Sequence, residues 1–146
     1  MKFSLHIDPE REEELILYLR EHRPVADEIA RLLQEREGEE TLWGTCGERT
    51  RKLPPDGVEA IFVEDARVWA LFEGQTWRLP ERLYRYEEVY ASRFVKIHQS
   101  CIVNPAAVVR FESSLGTLSV VLKSGRREYV ARRRLKEIKE RFGLKK

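Results

Sequence analysis

The chain begins with alternating hydrophobic and polar residues. Phe3, Leu5 and Ile7 share one side of an extended segment, and polar residues lie between them. This alternation predicts a half-buried strand over residues 2–7.

Two helices are predicted after this strand. Asp8 and Pro9 fit the N-cap and the first position of a helix that runs to about Glu21. Pro24 opens a second helix, because apolar residues then recur at helical spacing. These apolar residues are Val25, Ile29, Leu32 and Leu33. The predicted strand and helices form an N-terminal segment, residues 1–40, that we call the head.

The pattern changes at residue 41, where short apolar runs alternate with turn residues and predict consecutive β-strands. The predicted strands cover residues 41–45, 49–53, 58–63, 67–72, 75–79, 93–97, 101–103, 106–112, 117–123 and 126–131. A short helix is predicted over residues 80–88 and a basic helix over residues 132–142, with Gly143 as its stop. Residues 41–146, which we call the body, are predicted to form a second domain.

Composition narrows the class of protein. The 146 residues are 42% hydrophobic and 36% charged, which is too apolar for a disordered chain. No apolar stretch is long enough to cross a membrane, and the N-terminus does not resemble a secretory signal. Two cysteines and three histidines lack the spacing of a metal site, so we expect reduced thiols, no cofactor and a cytoplasmic protein.

Charge is unevenly distributed, although the net charge is only +2. Residues 1–52 hold 9 basic and 13 acidic residues, a net charge of −4, and residues 53–146 hold 18 and 12, a net charge of +6. Residues 93–146 alone hold 14 basic and 4 acidic residues, a net charge of +10. Such a field attracts a polyanion, although a merely solvated basic helix gives the same composition.

The sequence contains no recognisable catalytic constellation. A serine or cysteine nucleophile needs a base and an orienting carboxylate, and the pair His98 and Ser100 has no evident third partner. No glycine-rich loop joins a strand to a helix, as a phosphate site requires. We therefore expect no enzymatic activity.

One segment of the body carries a long motif. Residues 94–104 contain an aromatic residue, a basic residue, His and Ser, followed by an apolar triplet that ends in Asn104. This order resembles the signature of LytTR DNA-binding domains, and the surrounding elements agree over about residues 54–142. The head is also similar to that of standalone bacterial LytTR regulators.

The resemblance implies a mainly β fold with some α-helix. It is an elongated LytTR-like fold of small antiparallel sheets, preceded in this chain by the predicted strand and two helices. The resemblance also implies a sequence-specific transcriptional regulator whose loops and strand ends enter successive major grooves of double-stranded DNA. An alternative is a protein-interaction or sensory module that keeps this body but does not bind DNA. The leucines of the head point to two partners, a second copy of the chain or a membrane-bound regulatory protein.

The resemblance places DNA contacts in three parts of the body: the turn after its first LytTR-like strand, the segment before Asn104, and the end of its last strand. The candidate contacts are Arg67, Lys96, His98, Gln99, Arg132, Arg133 and Arg134. Arg133 is preferred within the arginine triplet, with its two neighbours as alternatives if the register differs by one residue. Ala131 stands where the family usually has Ser, so a phosphate contact from that hydroxyl is lost.

Each candidate also has an interpretation without DNA. Arg67 is either a turn residue or a contact, and Lys96 either lies on a solvated strand face or binds phosphate. His98 either anchors its loop or touches DNA. Gln99 either pairs with adenine or is an ordinary surface residue. Asn104 is expected to fix a turn rather than to bind DNA.

Overall fold

The structure is a computed structural model that describes residues 3–37 and 42–144. Its strands are β1 (Glu14–Ile16), β2 (Leu42–Cys46), β3 (Arg49–Leu53), β4 (Val58–Glu64), β5 (Arg67–Phe72), β6 (Gln75–Leu79), β7 (Val95–His98), β8 (Cys101–Val103), β9 (Val108–Ser114), β10 (Thr117–Leu122) and β11 (Arg127–Tyr129). Its α-helices are α1 (Pro24–Glu37), α2 (Leu83–Val89) and α3 (Leu135–Arg141). Short 3-10 turns cover Pro55–Gly57, Pro105–Ala107 and Arg132–Arg134.

The strands form two antiparallel sheets. Eight strands make one sheet in the order β1-β3-β2-β6-β5-β4-β8-β7, and three make the other in the order β11-β10-β9. The predicted fold class, mainly antiparallel β with some helix, is confirmed. Each predicted body strand appears, and four of them, β3, β5, β6 and β8, agree at both ends.

The large sheet is buried on both faces around β4. Ile61 faces a core with Trp77 of β6 and with Tyr86 of α2. On the opposite face, Phe62 packs in a second core with Val120 of the small sheet and Ile138 of α3. Burial on both faces explains why β4 is apolar almost throughout rather than alternating.

The prediction for the first part of the head is wrong. Residues 3–7 form no strand, and their apolar side chains are exposed. No helix follows Asp8, whose side chain instead accepts a hydrogen bond from the Glu10 amide (3.0 Å) in a turn. Residues 14–16 form β1, which pairs with β3. The run from Leu15 to Leu19 fits both a helical and an alternating period, and pairing with β3 selects the strand.

The second predicted helix is present as α1. It contacts β2, and its most buried described residues are Ala26 and Ala30, 2% and 1% exposed. Leu32, expected on the inner face, is 55% exposed. Small residues at the contact let the helix approach the sheet closely.

The end of the chain follows the prediction with one change. The arginine triplet forms a 3-10 turn, and the α-helix begins only at Leu135. Leu135, Ile138 and Phe142 face the second core as expected. Gly143 has a φ of 66° and ends the helix, which is the predicted stop. The predicted boundary between head and body, at residues 40 and 41, lies outside the described residues and stays a prediction.

Candidate nucleic-acid interface

Main-chain hydrogen bonds link the three parts of the body that carry the candidate contacts. The Val63 amide near the end of β4 donates to the Ser100 carbonyl in the β7–β8 loop (2.9 Å). The Ala131 amide, just after β11, donates to the Ile97 carbonyl of β7 (2.8 Å). The fold therefore fixes these three parts relative to one another at one edge of the large sheet.

Arg67 follows a tight turn between β4 and β5. The two turn residues, Asp65 and Ala66, have φ values of 53° and 61°. A two-residue hairpin turn of this kind needs positive φ at both positions, which favours Asn and Gly. Ala66 therefore holds a strained backbone beside an exposed arginine.

The β7–β8 loop presents Gln99 and buries its neighbour. Gln99 is exposed, whereas His98 is only 8% exposed. Lys96 is half-buried, and its Nζ lies 2.8 Å from the Glu87 carboxylate of α2. Of these three candidates, only the side chain of Gln99 is freely presented.

The three arginines of the triplet Arg132–Arg134 differ in ion pairing. Arg134 pairs with Glu137 one turn along (3.2 Å). Arg132 and Arg133 are exposed, and no described carboxylate pairs with either of them. Arg67 likewise has no partner among the described carboxylates.

Most other arginines of residues 93–146 pair with carboxylates. Arg110 and Arg127 both bind Glu112 on the small sheet. The ion pairs hold the pKa of the Glu112 carboxyl below its usual range, with the Arg110 hydrogen bond as the main cause. Among the candidate contacts, Arg67, Arg132 and Arg133 are thus the exposed arginines that have no partner among the described carboxylates.

His98 belongs to a network that the sequence does not predict. Its Nδ1 accepts a hydrogen bond from the Ser100 amide (3.1 Å), and its Nε2 lies 2.9 Å from Oε1 of Glu128. Oε2 of Glu128 accepts from Nε of Arg126 (3.0 Å). The Tyr129 ring stacks on the imidazole, with centroids 4.3 Å apart and planes 3° apart. His98 and Glu128 are 30 residues apart, so no local sequence pattern predicts their contact.

The environment of Glu128 favours its ionised form. Burial opposes ionisation, but the His98 hydrogen bond and the Arg126 guanidinium outweigh it, so the pKa of Glu128 is lowered. The neighbouring thiol behaves differently, because burial raises the pKa of Cys101 above its usual range. Both cysteines are free thiols, as expected.

These residues also bring three metal-ligand types together. Ligand atoms of His98, Cys101 and Glu128 lie within 4.8 Å of one another. However, Nδ1 of His98 already accepts a hydrogen bond, so the proton of the neutral ring sits on Nε2 and points at Glu128. Because that nitrogen has no free lone pair, the geometry favours a hydrogen-bonded network over an ion.

Asn104 has the structural role predicted for it. Its Nδ2 donates to the carbonyls of Asp56 (3.1 Å) and Val58 (3.2 Å), and its Oδ1 accepts from the Ala106 amide (3.0 Å). The side chain is 8% exposed and ties the end of β8 to the start of β4. It fixes this junction and is too deeply buried to reach a ligand.

Comparison with known proteins identifies the class. Residues 48–143 match the model of the LytTr DNA-binding domain family. This match covers more than half of the chain, which therefore belongs to the LytTR family and carries its DNA-binding domain. The resemblance of residues 94–104 to the LytTR signature is confirmed.

Two individual proteins are similar to the chain. The sensory transduction protein LytT of Enterococcus faecalis (strain ATCC 700802 / V583) is 27% identical over 99 residues, which are 66% of this chain and 41% of LytT. The chain thus spans less than half the length of that relative. The LytTr DNA-binding domain of a Bacillus cereus protein matches with a TM-score of 0.66 and 17% identity, covering 73% of this chain and all of that domain. At this identity the match supports the fold alone.

No α-helix within the described residues is both long and apolar enough to span a membrane.

Proposed function

We propose that this protein is a sequence-specific transcriptional regulator that binds double-stranded DNA through the edge formed by the β4–β5 turn, the β7–β8 loop and the arginine triplet. Arg67 and Arg132 bind phosphates, Arg133 and Gln99 contact base edges, and Arg134 supports the triplet. Lys96 and His98 contribute mainly by holding the loop, because both already have protein partners.

One observation carries this proposal. Three of the candidate contacts, Arg67, Arg132 and Arg133, are exposed arginines without a described carboxylate partner, and they lie on segments that main-chain hydrogen bonds hold together. Arginine binds phosphate and guanine through the same planar fork, so the edge offers both affinity and base readout. Membership of the LytTR family supports the same assignment.

Selection of bound sequences from random duplex DNA tests the proposal. We expect a defined site to emerge, and the affinity for that site to fall steeply as salt rises, because arginine–phosphate contacts release counterions. A selection that enriches no sequence, with equal affinity for all duplexes, would contradict sequence-specific binding.

We also propose that the head associates with a second copy of the chain. Phe3, Leu5 and Ile7 are 89%, 73% and 86% exposed, and they alternate as in a strand with one apolar face. β1 lies at the edge of the large sheet and leaves one side open for pairing.

Light scattering of the full chain over a range of concentrations checks this association. We expect a dimer in the wild type and a monomer after the apolar residues at positions 3, 5 and 7 are changed to Ser. A wild-type monomer at all concentrations would contradict self-association and would leave a membrane-bound partner as the candidate for this surface.

A further inference from the structure

A chain of hydrogen bonds fixes the loop that presents Gln99. It runs from the Ser100 amide to Nδ1 of His98 (3.1 Å), from Nε2 of His98 to Glu128 (2.9 Å), and from Arg126 to the same carboxylate (3.0 Å). The Arg126 guanidinium in turn covers the Phe62 ring at 3.7 Å. The loop is thereby connected to the small sheet and to the core of the large one.

The two backbone polar groups of Ser100 are both used by this arrangement. Its amide donates to His98, and its carbonyl accepts from the Val63 amide (2.9 Å). Gln99, the preceding residue, is exposed. The backbone next to Gln99 is therefore held by the imidazole and by the end of β4.

Glu128 is suited to this task because a carboxylate has two acceptor oxygens. One oxygen accepts a hydrogen bond from the His98 ring, and the other accepts a hydrogen bond from the Arg126 guanidinium. A carboxamide has a single acceptor oxygen and turns an N–H group toward the second donor, so glutamine satisfies only one of the two contacts. If Arg126 takes that oxygen, the carboxamide N–H faces Nε2 and favours a ring proton on Nδ1, which opposes the hydrogen bond from the Ser100 amide.

We infer that Glu128 is a positioning residue for base discrimination: through His98 it holds the β7–β8 loop so that Gln99 meets one base pair in a fixed orientation. This inference rests on the proposed DNA-binding function and extends it to a residue that does not touch DNA. It also assigns His98 a role in orientation rather than contact. The network is local to this edge, so its loss changes which sequence is preferred more than how tightly DNA in general is bound.

The test begins with the wild-type full chain and its selected site. Glu128→Gln is compared with Glu112→Gln, which makes the same change in charge on the neighbouring carboxylate of the small sheet. For Glu128→Gln we expect discrimination at the base pair read by Gln99 to fall roughly tenfold, the range of one lost base contact. Affinity for random duplex should stay within about twofold, apart from a small gain from the lost negative charge. Glu112→Gln should keep the wild-type discrimination.

Imidazole ¹⁵N chemical shifts provide a readout that loss of general stability does not move. In the wild type we expect the His98 proton on Nε2, and in Glu128→Gln a mixture of the two neutral forms. Adding Arg126→Met to Glu128→Gln removes the competing donor and leaves the carboxamide oxygen free for His98. The double variant should regain both the Nε2 form and the discrimination.

The outcomes separate this inference from the proposed function. If the wild type shows no sequence preference, the proposed function is wrong and the inference falls with it. If the wild type selects a site and Glu128→Gln keeps the same discrimination, only the inference is wrong. A double variant that folds but does not regain discrimination would also overturn it, because Glu128 would then act by a route other than His98.

Discussion

At the scale of single residues, the presence or absence of a carboxylate partner distinguishes the cations of the body. Lys96 and Arg134 belong to ion pairs within the protein, whereas Arg133 is exposed with no partner among the described carboxylates. A paired cation must give up its partner before it binds DNA, and an unpaired one does not. The strongest effects on DNA binding should therefore come from the unpaired residues.

Changing Arg133 to Ala should weaken binding to the selected site by about tenfold, the equivalent of one good contact. The salt dependence shows which contact it is. Loss of a phosphate contact lowers the slope of log K against log salt by about 0.9, whereas loss of a base contact leaves it unchanged. Mobility-shift titrations at several salt concentrations measure both quantities.

Arg49→Ala is a suitable control for this substitution. Arg49 lies on β3, near the opposite end of the sheet from β8, and pairs with Glu14 (2.7 Å). The substitution Arg49→Ala removes the same positive charge as Arg133→Ala, but far from the candidate interface. Equal losses of affinity in Arg49→Ala and Arg133→Ala would show that only net charge matters.

Changing Asn104 to Ala should lower the free energy of unfolding by about 2–3 kcal/mol, because it leaves polar groups without partners at a buried junction. Urea unfolding measures the change. Gln99→Ala, at an exposed position five residues earlier, should stay within about 0.5 kcal/mol of the wild type. A small effect of Asn104→Ala would mean that water replaces the three hydrogen bonds.

At the scale of elements, three two-residue hairpin turns of the body have positive φ at both positions and differ in sequence. Glu73-Gly74 and Leu115-Gly116 place glycine at the second turn position, with φ values of 76° and 80°. The turn before Arg67 places Ala66 there instead, at 61°. A non-glycine residue in this region costs roughly 1–2 kcal/mol. The strain occurs at the one turn of the three that belongs to the candidate interface.

Changing Ala66 to Gly should therefore raise the free energy of unfolding by about 0.5–1 kcal/mol, since relief of strain is partly offset by the entropy of glycine. Gly74→Ala and Gly116→Ala should lower it by a similar amount. Thermal or urea unfolding of the three variants provides the measurement. A destabilised Ala66→Gly would show that the Ala66 side chain makes a favourable contact.

The elements that could be predicted from sequence are those with local signals. β5 and β6 follow from apolar runs bounded by turn residues, and both appear where expected. The helix predicted before Pro24 is wrong because the leucines of that segment fit both a helical and an alternating period. Pairing with β3, more than 30 residues away, decides between helix and strand. Likewise, the motif indicated His98 through a family resemblance, but Glu128 and Arg126 become its neighbours only through the pairing of distant strands.

At the scale of the whole molecule, the acidic head is held by arginines of the large sheet. Glu12 pairs with Arg51 (3.3 Å), and Asp27 pairs with Arg78 (3.1 Å). These arginines lie on β3 and β6, on the side of β4 away from β8. Negative charge of the head thus offsets positive charge far from the candidate interface, where Arg67, Arg132 and Arg133 have no described carboxylate partner.

Stability should fall in acid because the fold holds three other carboxyls in their ionised form. The carboxyls of Glu14, Glu112 and Glu128 have pKa values below the ordinary 4.5, so the folded state favours their ionised form. Their contribution is complete above pH 4.5 and is lost as the pH falls through the lowered values. Urea midpoints measured from pH 7 to pH 3 should decrease below about pH 4.5, and less steeply in Glu128→Gln. Parallel curves for both proteins would contradict a role for Glu128.

The order of strands in the large sheet has a consequence for folding kinetics. β2 pairs with β3, β4 with β5, and β7 with β8, so most contacts join neighbours along the chain and close only short loops. The candidate interface depends instead on β4 and β8, where Ala60 lies opposite Val103. Because long loops cost more entropy to close, we expect the hairpins to form first and this edge to assemble late. A nascent chain would then acquire the candidate interface only after the hairpins beneath it have formed.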